Sequence, residues 1–265
     1  MNVLATSSLT RRFGAKVAVD AVSIAVEAGE SFALLGSNGA GKTTLIKMLT
    51  TLLPPTSGSA SVAGFDVVRQ SAKVRRAIGY VPQAISADGT LTGAENLRLF
   101  ARLYDVPRRA QAATVQAALT FMGLQEVGDR LVNMYSGGMV RRLEIAQAML
   151  HRPQVLFLDE PTTGLDPIAR TTVWEHVSRL RSEAGMTVFF TTHLMEEADR
   201  WCTRLAIMNA GRVVITGTPI DLKQSLGIAA ASLNDVFTRY AGTTIQNGER
   251  YGDILQSRAV ARRLG

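Results

Sequence analysis

The segment Gly36-Ser37-Asn38-Gly39-Ala40-Gly41-Lys42-Thr43 constrains the fold of this chain more than any other. It stands between a short apolar run, residues 31–35, and an apolar-periodic stretch, residues 44–52, which predicts strand, glycine-rich loop and helix in succession. Glycines let the backbone wrap close to phosphate oxygens at dihedrals a Cβ forbids. Successive N–H groups then form an anion nest at the positive end of the helix dipole. Gly36, Ser37, Asn38, Gly39, Ala40, Gly41, Lys42, Thr43 and Thr44 are therefore the expected phosphate-binding set of a nucleotide site. Lys42 is expected to neutralise the β and γ phosphates, and the Thr43 hydroxyl to ligate Mg²⁺.

The pattern around this loop is that of an α/β chain. Residues 22–26, 59–63 and 77–81 are read as further strands, the last two joined by a polar, arginine-bearing connection. From 91 to 150 the β-branched runs disappear. Leu97, Phe100, Ala101, Leu103 and Tyr104, then Val115, Ala118, Leu119 and Met122, fall at spacings of three and four, which predicts an inserted helical subdomain. Residues 155–158 and 187–191 are continuous apolar runs suited to buried parallel strands, with a helix over 168–180 between them. Residues 205–208 and 212–216 flank Asn209-Ala210-Gly211 as an antiparallel hairpin; short helices over 220–226 and 233–240 precede a polar tail.

Composition narrows the class. With 265 residues and 46% hydrophobic residues the chain has material for a substantial core, and one cysteine, Cys202, excludes an internal disulfide. Its apolar runs are a handful of residues, against the roughly 18 to 20 needed to cross a bilayer, and residues 1–12 lack the apolar core of a secretory signal. The charge balance of +7 could suit a polyanion, but the arginines are spread along the chain in pairs such as Arg75-Arg76 and Arg141-Arg142. No nucleic-acid partner is expected.

Two acids, Asp159 and Glu160, close the apolar run 155–158. Carboxylates at the tip of a buried strand beside a phosphate loop have a metal to hold. Neighbouring strand residues face opposite ways, so the two divide the work: Asp159 for Mg²⁺ through its water shell, Glu160 for the attacking water. His193, just beyond the run 187–191, is expected at the γ phosphate.

Taken with Tyr135-Ser136-Gly137-Gly138-Met139 before a helix, Asp159-Glu160-Pro161-Thr162-Thr163-Gly164-Leu165-Asp166-Pro167 and Thr192-His193, the chain resembles the ATP-binding cassette (ABC) ATPase family over residues 3–225. The resemblance implies a P-loop NTPase of ABC type: a RecA-like mixed-sheet core with an antiparallel β subdomain and an inserted α-helical subdomain. The expected ATPase domain spans 1–225, its helical subdomain about 91–150, with a short C-terminal extension over 226–265. It implies ATP and Mg²⁺ as ligands, with Glu160, His193 and Gln83 catalytic and Thr43, Gln83 and Asp159 at the metal. Phe13 matches the aromatic residue that stacks on adenine, and Gln83 the glutamine that senses Mg²⁺ and contacts the membrane partner. Ser136, Gly137 and Gly138 match the signature addressing the γ phosphate of the opposite subunit, and Asp166 the aspartate crossing the dimer interface.

The implied working unit is a homodimer that clamps two ATP molecules and drives a separate transmembrane permease of the ABC-2 type, peripheral on the cytoplasmic face of the cell membrane. The stretches 217–223 and 232–237 are similar to the tail of exporter cassettes of the daunorubicin-resistance type, whose relatives handle drugs, lipids, polysaccharides and nodulation factors. The rival expectation is a soluble ABC-type ATPase of DNA maintenance or translation. It is opposed by the absence of a long heptad insertion, of zinc-module cysteines and of a second cassette.

The chain departs from the family signature at two places: Tyr135 stands for the usual leucine and Met139 for the usual glutamine, so that side chain's hydrogen bond is lost. Activity is expected to persist at an altered rate. Steady-state ATPase assays of Met139→Gln should show a changed turnover; an unchanged one would mean that the position is idle.

Overall fold

The computed structural model describes residues 2–228 and 230–245. Of the extension expected over 226–265, the part beyond 245 lies outside the described residues.

The chain begins with a long strand, β1 (Asn2–Phe13), which pairs antiparallel with β2 (Lys16–Val22) and β3 (Ala25–Glu27). The single strand expected over 22–26 is thus two. Thr6 of β1 sits at the break: its hydroxyl donates to the Val22 carbonyl and accepts from the Ile24 N–H, both at 2.9 Å, which satisfies the groups a ladder would otherwise pair. Next come β4 (Ser31–Leu35), α1 (Lys42–Leu49), β5 (Ser57–Val62) and β6 (Phe65–Asp66); β5 returns to pair with β1 and closes the antiparallel sheet β2-β1-β5-β6. The polar, arginine-bearing connection contains a helix, α2 (Ser71–Ala77), which buries only Val74 and Ala77 and so leaves little periodic trace in the sequence.

β7 (Ile78–Val81) leads into three helices, α3 (Gly93–Leu103), α4 (Arg108–Phe121) and α5 (Gly137–Met149). Thr92 and Glu95 form a reciprocal capping box at the start of α3. Ser136 caps α5, whose residues are buried on nearly every face. The chain then re-enters the sheet through β8 (Val155–Asp159), α6 (Pro167–Ala184), β9 (Thr187–Thr192), α7 (Met195–Trp201) and the antiparallel pair β10 (Arg204–Asn209) and β11 (Arg212–Gly217). The described residues close with α8 (Pro219–Gln224) and α9 (Leu233–Ile245).

The second sheet runs β11-β10-β4-β9-β8-β7, parallel from β10 to β7. Its central strands are buried from end to end and apolar at their centres because both faces are covered. Phe32, Leu34, Phe157 and Phe189 pack with Leu45 and Ile46 of α1 and Leu4 and Val62 of the antiparallel sheet. Ala33, Leu35, Leu156, Leu158 and Phe190 pack with Ile145 of α5 and Trp174 of α6. The α/β class expected from the sequence is the one found.

Register is what brings the chemistry together. Leu35 pairs with Thr192 and Asp159 with Thr191, so the loops leaving β4, β8 and β9 emerge side by side at one sheet edge. β7, the outer parallel strand, is pressed against α5: a Cβ on Gly79 would lie 2.4 Å from the Ala148 carbonyl oxygen. Gly79→Ala should therefore destabilise the fold by about 1–3 kcal/mol, read as a lower midpoint of chemical denaturation, whereas an unchanged midpoint would show that α5 and β7 separate freely.

Candidate active site

The glycine-rich loop is shaped by what crowds it. Gly41 precedes α1 with φ of 107°, and a Cβ there would lie 2.4 Å from the Ala18 carbonyl oxygen of β2; a Cβ on Gly36 would meet the Met208 carbonyl oxygen of β10 at 2.6 Å. Both positions are closed to any side chain. The Gly211 N–H donates to Ala40 O at 2.9 Å and ties the loop to the β10–β11 turn. A cleft of about 550 Å³ opens over the loop, lined by Lys16, Asn38, Gly39, Gly41, Lys42, Thr43, Thr44, Gln83, Glu160 and Gly211 among others. Gly36, Ser37 and Ala40 of the expected set do not line the cleft. They support it: Gly36 and Ser37 offer carbonyls to the Lys42 ammonium at 2.9 and 3.1 Å, and Ala40 is buried.

The Lys42 ammonium also lies 3.0 Å from Glu160 Oε1, in an ion pair almost wholly removed from solvent. Burial pushes the Glu160 carboxyl upward, but the Lys42 ammonium, aided by His193 and the Thr163 hydroxyl, outweighs it and holds the group below its ordinary range. Glu160 does not continue β8 with alternate facing, as the sequence suggested. It leaves the strand in the left-handed region, φ 48°, and so turns toward the same site as Asp159.

Asp159 Oδ1 accepts from the Thr191 hydroxyl at 2.6 Å and from the Thr43 hydroxyl at 3.2 Å, while its Oδ2 is buried without a hydrogen-bond partner. A buried carboxylate oxygen left unpaired beside a loop hydroxyl fits a hydrated Mg²⁺, which binds oxygen ligands and keeps most of its waters.

Around Glu160 the remaining candidates converge. His193 Nδ1 lies 3.1 Å from Glu160 Oε2, and Gln83 Nε2 donates to the same oxygen at 3.4 Å. A residue not singled out from the sequence, Glu197 of α7, organises this arrangement. Its buried carboxylate accepts from the hydroxyls of Thr162 and Thr192, and so links the segment after Glu160 to the one before His193. Thr191 was also missed; the signal was available, since two threonines ending an apolar strand have no packing reason to be there.

Other candidates lie away from the cleft. Phe13 is 47% exposed at the end of β1, under the Arg11 guanidinium and paired with the cleft residue Lys16. Ser136, Gly137 and Gly138 open α5, and Asp166 caps α6 through the Ile168 and Ala169 N–H groups. These two helix starts touch, a Cβ on Gly138 meeting Ala169 Cβ at 2.8 Å, and none of the four residues lines the cleft. The two signature departures have structural partners. The Tyr135 hydroxyl donates to Val127 O at 2.7 Å over Gly93, where a Cβ would clash with it, and Met139 packs against the apolar core.

Residues 19–163 match the family model described as ABC transporter. The chain is 44% identical, over 88% of its length and 72% of the relative's, to the daunorubicin resistance ATP-binding protein DrrA3 of Streptomyces coeruleorubidus. It is 41% identical, over 91% of its length and 82% of the relative's, to the Nod factor export ATP-binding protein I of Burkholderia lata. A solved structure described as the ATP binding subunit of an ABC transporter superposes with a TM-score of 0.80 at 29% identity, covering 90% of this chain and 99% of that one.

Because the folded chain holds the Glu160 carboxyl below its ordinary range, the pair's contribution to stability is complete above about pH 4.3 and is lost as pH falls through the depressed value. Thermal melts from pH 7 to pH 3 should fall less steeply for Glu160→Gln than for the parent chain; parallel curves would contradict the pair.

Proposed function

The chain belongs to the ABC transporter family as an ATP-binding and ATP-hydrolysing subunit, and on that premise we propose that a homodimer of it powers export of a drug, lipid or polysaccharide-like substrate through a separate ABC-2 type permease, from the cytoplasmic face of the membrane. The exporter reading is supported by relatives whose names are drug resistance and Nod factor export ATP-binding proteins; they do not favour a DNA-maintenance or translation ATPase. Among the described residues no helix is long and apolar enough to cross a membrane, which suits attachment through a permease. We assign residues 1–225 to the ATPase domain, with 91–150 as its helical insert.

The reading is carried by one observation: beside the glycine-rich loop the Glu160 carboxylate meets Lys42 through Oε1 and His193 and Gln83 through Oε2. An incoming triphosphate competes with Glu160 for the Lys42 ammonium. Once Lys42 turns to phosphate, Glu160 loses its main counter-charge and stays buried, so its proton affinity rises. It can then take a proton from the water that attacks the γ phosphorus, while His193 steadies the γ-phosphoryl oxygens and Gln83 orients the water. Thr43 and Asp159 would hold Mg²⁺, which would supply charge neutralisation to the bound triphosphate.

Ser136, Gly137, Gly138 and Asp166 stand outside this cleft, which supports their use by the opposite subunit: the amide-rich start of α5 would meet the γ phosphate bound by its twin. Phe13 would stack on adenine beside Lys16. In excess Mg-ATP, light scattering of Glu160→Gln should report a stable dimer, with hydrolysis lowered by 100-fold or more, on the order of the loss expected for a removed general base. A variant that stays monomeric would overturn the assignment.

A further inference from the structure

Gln83 reaches the cleft from a segment with no regular structure of its own, the stretch between β7 and α3. Such a segment must satisfy its backbone polar groups through side chains or water. Here two side chains of α5 do so. Arg141 donates through its guanidinium to the carbonyls of Pro82, at 2.7 Å, and Gln83, at 3.0 Å. Glu144, one turn on, accepts the N–H groups of Ser86 and Ala87 and the Ser86 hydroxyl.

Arg141 and Glu144 are paired with each other at 2.9 Å, their side chains 7% and 1% exposed. A further turn along, Gln147 donates to Asn96 Oδ1, and Asn96 holds the carbonyl and N–H of Asp88. Positions 141, 144 and 147 share one face of the helix. That helix opens with Ser136 and Gly137 and packs without clearance on Gly79, four residues before Gln83.

An ion pair buried this deeply is a costly way to hold a loop. Two carbonyls and two N–H groups could be met by neutral groups or by water at the surface. What the pair adds is geometry: the planar guanidinium forks between two successive carbonyls, and the carboxylate fixes the fork. The backbone of Gln83 is thereby tied to α5 rather than to the sheet it leaves.

We propose that Arg141 and Glu144 are positioning residues that hold Gln83 at the cleft, so that α5 and the segment 82–87 move as one body. This rests on the role given to Gln83 above.

The test is a double-substitution cycle on the full chain with turnover at saturating Mg-ATP as readout. Gln83→Ala should lower kcat. Glu144→Ala should lower it on the order of tenfold, as expected for a misplaced rather than a missing group, while the affinity for a non-hydrolysable ATP analogue stays within about twofold. The combined variant should turn over no more slowly than Gln83→Ala alone, and Glu144→Gln, which keeps an acceptor for Ser86 and Ala87, should recover most of the rate. If Glu144→Ala does not fold, Arg141→Lys takes its place: it keeps the charge, cannot fork between two carbonyls, and should show the same lack of further loss in the Gln83→Ala background. Multiplying losses, or an unchanged kcat in Glu144→Ala, would overturn the coupling and leave Gln83's role standing. An unchanged kcat in Gln83→Ala would remove both.

Discussion

The site is organised by a buried ion pair between Lys42 and Glu160. Removing both charges from water is expensive, and their mutual attraction offsets this only where the surrounding hydrogen bonds are complete. They are nearly so: Lys42 uses its remaining donors on Gly36 and Ser37, and Glu160 accepts from Gln83 and Thr163 and faces His193. On the proposed reading, the loop keeps the lysine that would bind phosphate neutralised by the residue that would activate water. A ligand that took the lysine would then change the proposed base as well, so binding and activation would follow from one displacement of charge.

The scaffold makes that meeting possible because three parallel strands end in register. β4 delivers the phosphate loop, β8 the two carboxylates and β9 the histidine, and the interstrand pairs fix their relative heights. Glycines at 36 and 41 allow β2 and the β10–β11 turn to hold the loop from behind. Glu197 then joins Thr162, in the loop after β8, to Thr192, the last residue of β9. The start of α5 lies against the cap of α6, outside the cleft, and the cleft is left without the amide donors that Ser136 and the following glycines present elsewhere.

Much of this was legible in the sequence where residues obey a local rule. The phosphate loop carries its own dihedral requirement, the apolar strands their two-sided burial, and Asp159, Glu160 and His193 their places at strand ends. What was not legible depends on partners far along the chain. The break between β2 and β3 is made by Thr6, a residue of β1, and α2 buries too few side chains to leave a period. The facing of Glu160 follows from a left-handed residue that strand alternation does not anticipate. Glu197, Arg141 and Glu144 read as ordinary helix-surface charges until the fold buries them. Of the signature departures, Tyr135 is explained by its bond to Val127 above Gly93, a contact across 42 positions that spelling alone does not suggest.

On the proposed mechanism nucleotide takes Lys42 from Glu160 and so raises that carboxylate's proton affinity. Carbon-13 NMR titration of the Glu160 carboxyl, without nucleotide and with a bound non-hydrolysable ATP analogue, measures this directly. The account predicts a titration below the ordinary carboxylate range in the free protein and a clear upward move in the bound one. The same midpoint in both states would contradict it.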